Sequence, residues 1–262
     1  MDESRDYQRD FSEIHPKTMF DELGRLQKAR KTVAVMLDAL KQAGIDPNQA
    51  RLLDIGCSTG ILTRHYAEYF GAVVGVDIDD GAVEWARKNR AAENLRYEIG
   101  DSLNLPFLTG DFDFVTCTHI YEHVPDAQKM LDEIHRVLRP GGFCFFAAEN
   151  RLRWWDGHYN LPLVTMLPRP LADVYVRLTG RGKRRYETHR SFWGLRRLVR
   201  NFEIIDYTPA VVKDPEKFEA TDMIWSGSSK QRVATAVLTV AKWAFPTYLW
   251  VLRKPQEVKS QG

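Results

Sequence analysis

Asp54, Asp77 and Asp101 each close a short apolar run and are each followed by turn-forming residues. The first run, Arg51–Ile55, opens onto Gly56-Cys57-Ser58-Thr59-Gly60. Glycines there let the backbone approach a ligand with no side chain in the way. A helix beginning after Gly60 would aim its free N–H groups back at the same turn. Asp77 follows about twenty residues later, the offset at which a carboxylate can accept both hydroxyls of a ribose. Asp101 closes the next run, where its carboxylate could accept from an exocyclic amine. Three acidic groups at successive strand ends suit an adenosine that carries a cation and would repel a diphosphate.

A second set of residues could move protons. His119 lies just past a fourth apolar run, Phe112–Cys117, beside the crevice that such a sheet would form. Histidine is the side chain whose ordinary pKa suits a general base near neutrality. His123 follows four residues on, and His158 lies in Trp155-Asp-Gly-His158-Tyr, within a segment placed to cover an acceptor. His119 or His158 is expected to orient or deprotonate an acceptor hydroxyl, with His123 as the third candidate. His119, Glu122 and His123 also spell H-x-x-E-H, which could present ligands to a divalent ion. A histidine–glutamate pair at a helix start is more often structural, so no metal is expected.

The elements that must hold these residues follow from periodicity. Apolar residues from Met19 to Leu40 recur at helical spacing, and Gly44 and Pro47 end the run. Strand-like stretches at 51–55, 72–76, 95–99, 112–117 and 143–148 alternate with helical patterns after Gly60, around Ala82–Ala86, and from Asp126 to Leu138. Asp126 is placed to cap that last helix, and Pro140-Gly141-Gly142 stops it. Strand and helix repeated in this order imply right-handed crossovers and an α/β, Rossmann-like, doubly wound sheet. The sheet is expected to be mostly parallel and seven-stranded, with helices on both faces and an inserted cap. Residues 150–190 are read as that cap. Residues 191–253 complete the sheet, with a helix from Ser191 and late strands at 203–207 and 247–252. Residues 1–45 form an N-terminal helical segment, and 46–262 the main domain.

Composition sets wider bounds. The chain has 262 residues, 37 Lys and Arg against 35 Asp and Glu, so bulk charge gives no reason to expect nucleic acid. Cys57, Cys117 and Cys144 show no CxxC spacing and fit a reducing compartment. The charged start, Met1-Asp-Glu-Ser-Arg5, argues against a secretory leader and favours a cytoplasmic protein. Val233–Leu252 is apolar, but Lys242 and Pro246 count against a membrane span. Trp, Tyr, Leu and Arg in the cap suit a lipid interface. A small-molecule or lipid-linked hydrophobic acceptor and peripheral contact with the inner membrane face are therefore expected.

Leu52-Leu-Asp54-Ile-Gly56-Cys57-Ser58-Thr59-Gly60, Val74-Gly-Val-Asp77-Ile78, Gly100-Asp101-Ser102 and Leu138-Arg-Pro-Gly-Gly142 resemble the successive motifs of the class I S-adenosylmethionine-dependent methyltransferases. The resemblance runs over about residues 50–148, and the segment Phe112–Asp126 is similar to the quinone and other small-molecule O-methyltransferases. It implies S-adenosylmethionine as cofactor. Asp54 and Gly56, Cys57, Ser58 and Gly60 would cradle its methionine part, Asp77 its ribose and Ile78 its adenine. Asp101 and Ser102 would read the amino group, and Thr118 would line the same site. Three other readings fit less well. Gly56-Cys-Ser58-Thr-Gly60 matches the G-x-S-x-G nucleophile elbow, but it follows the first strand and no upstream oxyanion loop precedes it. An NAD(P)-type oxidoreductase would carry a glycine where Ser58 stands. A protein that binds the cofactor without catalysis keeps the same motifs.

Overall fold

The computed structural model describes residues 11–14 and 16–256; the charged N-terminal start lies outside them. Two short helices, α1 (Phe11–Ile14) and α2 (Pro16–Met19), precede α3 (Glu22–Ala43). The periodicity from Met19 is thus broken at Asp21, whose carboxylate accepts the Gly24 N–H at 3.1 Å and starts α3. Gly44, left-handed at φ 68°, ends α3 by donating to Leu40 and Lys41 carbonyls. Its buried positions Ala29, Val33, Met36 and Leu40 recur every three or four residues and pack with Leu52, Tyr66 and Phe114.

From there the chain alternates: β1 (Arg51–Ile55), α4 (Ile61–Tyr66), β2 (Ala72–Asp77), α5 (Asp80–Asn89), β3 (Leu95–Ile99), β4 (Phe112–Thr118), α6 (Ala127–Val137) and β5 (Leu138–Glu149). The cap contributes a hairpin, β6 (Trp155–Asp156) and β7 (Leu161–Pro162), and the helix α7 (Arg169–Leu178). The remainder is α8 (Phe192–Leu198), β8 (Glu203–Asp206), α9 (Thr208–Lys213), α10 (Ser229–Val240) and β9 (Thr247–Arg253).

Seven strands form one sheet in the order β3-β2-β1-β4-β5-β9-β8. β1 to β5 pair in parallel, and β9 runs antiparallel between β5 and β8. The doubly wound, seven-stranded sheet is therefore as expected. Alternation along β1 sends Leu52 into one core and Leu53 into the other, as a sheet covered on both faces requires. Asp126 accepts Gln128 and Lys129 N–H groups at 3.0 Å and caps α6, and Ser191 caps α8 through Gly194. The apolar stretch from Val233 forms the helix α10 ahead of the last strand, as its pattern suggests, whereas α9 has no counterpart in the sequence reading. No described helix is long and apolar enough to cross a membrane.

The cap is organised around its own small core of Tyr159, Leu161, Val164, Ala172 and Val176. Arg185, from the basic run, is buried and donates to the Val164 and Thr165 carbonyls at 3.0 and 3.3 Å. It therefore braces the cap rather than standing as a solvated charge.

Candidate active site

A cavity of about 730 Å³ opens beyond the carboxyl ends of β1 and β2, a size suited to a small-molecule ligand. Its walls come from four places: the turn after β1, the ends of β2 to β5, the cap hairpin, and the N-terminal helices. This is the carboxyl edge of the parallel strands, where chain order reverses between β1 and β4.

The register explains why Asp54 is buried. It pairs beside Gly75 on β2 and Thr116 on β4. Its two carboxylate oxygens accept from Thr116 Oγ1 at 2.5 Å and Thr63 Oγ1 at 2.6 Å. Burial pushes its pKa up to about 6, against the pull of those hydroxyls and of Arg25. Gly56 is left-handed (φ 75°), and a Cβ there would meet Ile120 Cδ1 at 2.3 Å. Ser58, also left-handed at φ 48°, donates its N–H to Asp77 Oδ2 at 2.7 Å. Asp77 accepts the Asp79 N–H at 3.0 Å as well, and burial raises its pKa.

Asp54, Gly56, Cys57, Ser58, Asp77, Ile78, Ser102 and Thr118 all line the cavity. The Cys57 side chain packs with Val83, Ala86 and Tyr97, so its backbone is what faces the site. Gly60 caps α4 beneath the Tyr97 hydroxyl and is not in the wall. Asp101 accepts the Leu103 N–H at 2.7 Å; Gly100 and Ser102, on either side of it, are the wall residues.

At the other end of the cavity sits a group of histidines and glutamates. His119 is held in the left-handed region (φ 57°), its N–H bound to the Ala147 carbonyl at 3.0 Å. A non-glycine residue fixed there marks a constrained position of the kind found at functional sites. Its Nδ1 lies 3.7 Å from Glu122 Oε1 and 3.8 Å from Glu149 Oε1. Burial lowers its pKa, with the charge of Lys28 acting in the same direction, so the ring is neutral near pH 7 and competent as a base. His158 is the opposite case. Burial alone would lower it, but the Asp156 carboxylate, 3.6 Å from its Nδ1, and the charges of Glu187 and Glu149 push it up to about 9. At neutral pH it carries a proton, so its ring can donate a hydrogen bond. His123 packs edge-on against His158, ring centroids 5.1 Å apart, and burial lowers its pKa.

The return of the cap completes this end. Thr188 donates to the Glu122 carbonyl at 2.8 Å, and Arg190 to the Tyr121 hydroxyl at 3.1 Å. These bonds seat Glu187 and His189 beside the loop after β4. His189 Nε2 lies 3.2 Å from Glu149 Oε2, and Arg153 pairs with the other oxygen. Glu149 is thereby held well below the usual carboxylate range. Among the described residues, two groups have ligand atoms within 4.8 Å of one another and could hold a metal: His123, His158 and Glu187, and Glu149, His158 and His189.

Sequence reasoning missed Arg25, Lys28, Glu149, Glu187 and His189. Arg25 and Lys28 lie three residues apart on α3, on the side that meets the cavity. Apolar periodicity locates the core face of such a helix and says nothing about its polar edge. Glu187 and His189 sit in an irregular return segment with no motif.

The residues present also fit the implied cofactor. Arg25 donates to Met19 Sδ at 3.4 Å, and its buried Nε has no partner among the described residues. A buried guanidinium N–H without an acceptor is costly, and a carboxylate brought by a ligand would satisfy it.

Residues 53–146 match the methyltransferase-domain family. The chain is 37% identical over 106 residues to a ubiquinone biosynthesis O-methyltransferase of Coxiella burnetii, covering 38% of this chain and 44% of that protein. It is 31% identical over 144 residues to a demethylmenaquinone methyltransferase of Staphylococcus epidermidis, covering 53% and 58%. The chain spans about half the length of the curated relatives it matches. The crystal structure of an S-adenosylmethionine-dependent methyltransferase from Mesorhizobium loti shares the fold. It has a TM-score of 0.53 at 18% identity and covers 82% of this chain and 96% of that one.

Proposed function

We propose that this chain, which carries a class I S-adenosylmethionine-dependent methyltransferase domain, methylates an oxygen of a small or lipid-linked hydrophobic acceptor. The observation that carries this reading is the two-ended cavity. Acidic groups, Asp54 and Asp77, line one end, and His119, neutral near pH 7, lines the other.

Asp77 would hold the ribose, Ile78 and Ser102 the adenine, the turn from Gly56 to Ser58 the methionine part, and Arg25 its carboxylate. The bound cofactor supplies an electrophilic methyl on a sulfonium, for in-line displacement. Most of the acceleration then comes from holding the acceptor close and aligned. His119 accepts the acceptor's hydroxyl proton, and Glu122 and Glu149 stabilise the imidazolium that results. His158 donates a hydrogen bond from the cap and closes the site to water.

The cap supports the hydrophobic part of the reading. Trp154, Trp155 and Leu163 from the hairpin region are exposed, as are Leu171, Val174 and Leu178 on one face of α7. Arg177, Arg181 and Lys183 flank them as exposed cations. Such a surface suits peripheral contact with an anionic lipid layer, and the same hairpin carries His158 into the cavity wall.

A second reading of the histidine end is favoured by the ligand spacing. A divalent ion held by Glu149, His158 and His189 would bind an acceptor oxygen and lower its pKa. It would have to displace the His158 proton and share Glu149 with Arg153.

The test is transfer of radiolabelled methyl from S-adenosylmethionine to detergent-dispersed long-chain phenols. Label in the organic phase that depends on His119 supports the reading. Label that stays in the aqueous phase with every phenol, while the cofactor still binds, sinks it.

A further inference from the structure

The N-terminal helix brings a second cation to the cavity, and the proposed reaction does not yet use it. Lys28 lies one turn along α3 from Arg25, and both line the wall. Lys31, three residues further along α3, is matched by Asp222 at 2.7 Å. Lys28 has no such match: its ammonium makes no hydrogen bond or ion pair with any described residue.

Its surroundings differ from those of Arg25. The charges that bear on Arg25 are Asp54 and Asp77, at the cofactor end. Those that bear on Lys28 are Glu122 and Glu149, opposed by Arg25 and Lys31. Both glutamates already have nearer cationic or potentially cationic neighbours. Glu149 pairs with Arg153 and His189, and Glu122 lies 3.7 Å from His119. Neither is within ion-pair distance of Lys28.

We propose that Lys28 receives an anionic oxygen of the acceptor, so that the acceptor's natural class is an ionisable phenol or an aromatic acid and not a neutral alcohol. The proposal rests on the methyltransferase reading above. Lys28, half-buried in the cavity wall, is poorly solvated, and burial with the like charge of Arg25 brings it down to about 8. A ligand oxygen carrying negative charge would restore what water no longer supplies. Lys28 and His119 then act on one group: His119 takes the proton, and Lys28 holds the charge that its removal leaves. Arg25, which faces the aspartates, is left for the cofactor's carboxylate.

The probe is 4-nitrophenol, whose phenolate is yellow and whose phenol is not. It is titrated against the protein loaded with S-adenosylhomocysteine, with nitrobenzene as the neutral control. Wild type is expected to bind the ring as phenolate, at a pH where the free probe is still mostly phenol. Lys28→Met should lose about tenfold in phenolate affinity and bind nitrobenzene as before. Lys28→Arg should restore much of the phenolate preference, and S-adenosylhomocysteine should bind all three proteins alike. An unchanged phenolate preference in Lys28→Met would overturn the proposal. So would a parallel loss of S-adenosylhomocysteine, which would assign Lys28 to the cofactor's carboxylate. If wild type binds no S-adenosylhomocysteine, the methyltransferase reading itself has failed, and that outcome is distinct.

Discussion

Replacing Thr116 with valine removes one of the two hydroxyls that hold Asp54 and keeps the shape of the side chain. Thr116 and Thr63 are both fully buried and Asp54 is 4% exposed, and the valine methyl would fill the place of the lost hydroxyl, so no water takes over as donor there. A hydrogen bond to an ionised group contributes about 1.5–3 kcal/mol, and one between neutral groups about 0.5–1.5 kcal/mol. The cost of Thr116→Val therefore depends on whether Asp54 is charged.

Asp54 has its folded pKa raised to about 6 from an ordinary 3.8. The stability linked to its protonated form is present below about 3.8 and is lost as pH rises through about 6. Losing the Thr116 donor raises the folded pKa further, at about 1.4 kcal/mol of added instability per unit at high pH. Urea unfolding at pH 8 should then show a loss of about 2–3 kcal/mol in the variant, and at pH 5 a loss of about 1 kcal/mol. Thr63→Val should behave alike, and the double variant should cost less than the sum, because both act on one carboxylate. Equal losses at the two pH values would refute the reasoning, since they would mean that Asp54 stays neutral or that its bonds do not sense its charge.

Other consequences reach the chemistry. His119→Ala should cut turnover by about 10²-fold or more and remove the acid limb of the rate profile, which lies below the ordinary histidine range because burial and Lys28 lower His119; a profile of unchanged shape would exclude His119 as the base. Leu171→Ser with Leu178→Ser should weaken sedimentation with anionic vesicles while leaving cofactor binding intact, and equal sedimentation would exclude this face as the lipid contact. Exhaustive chelation should leave turnover unchanged if the histidine cluster works without metal. Loss of turnover restored by a divalent ion, and abolished in His189→Ala, would instead favour the metal reading.

Much of this was legible in the sequence because the relevant physics is local. Each glycine turn and capping aspartate acts on its own neighbours, and the alternation of strand and helix fixes the order of crossovers. Asp54 and Asp77 could be placed at strand ends because a strand is short and its exit is marked by turn residues. What stayed hidden depends on long-range packing. The direction of β9 follows from where it docks between β5 and β8, which its own seven residues do not encode. Lys28 reaches the cavity only because α3 packs against α4 and the first strand. The difference between His119 and His158 arises from Asp156, Glu187 and Glu149 converging on one ring. Asp101 follows its strand as expected, yet a local turn takes its carboxylate.

The most direct test of the central claim is calorimetric titration of the purified protein with S-adenosylmethionine, beside Asp77→Ala. The account predicts saturable heat for the wild type and its loss in the variant, with the fold retained by circular dichroism. Silence from the wild type with both S-adenosylmethionine and S-adenosylhomocysteine would contradict it.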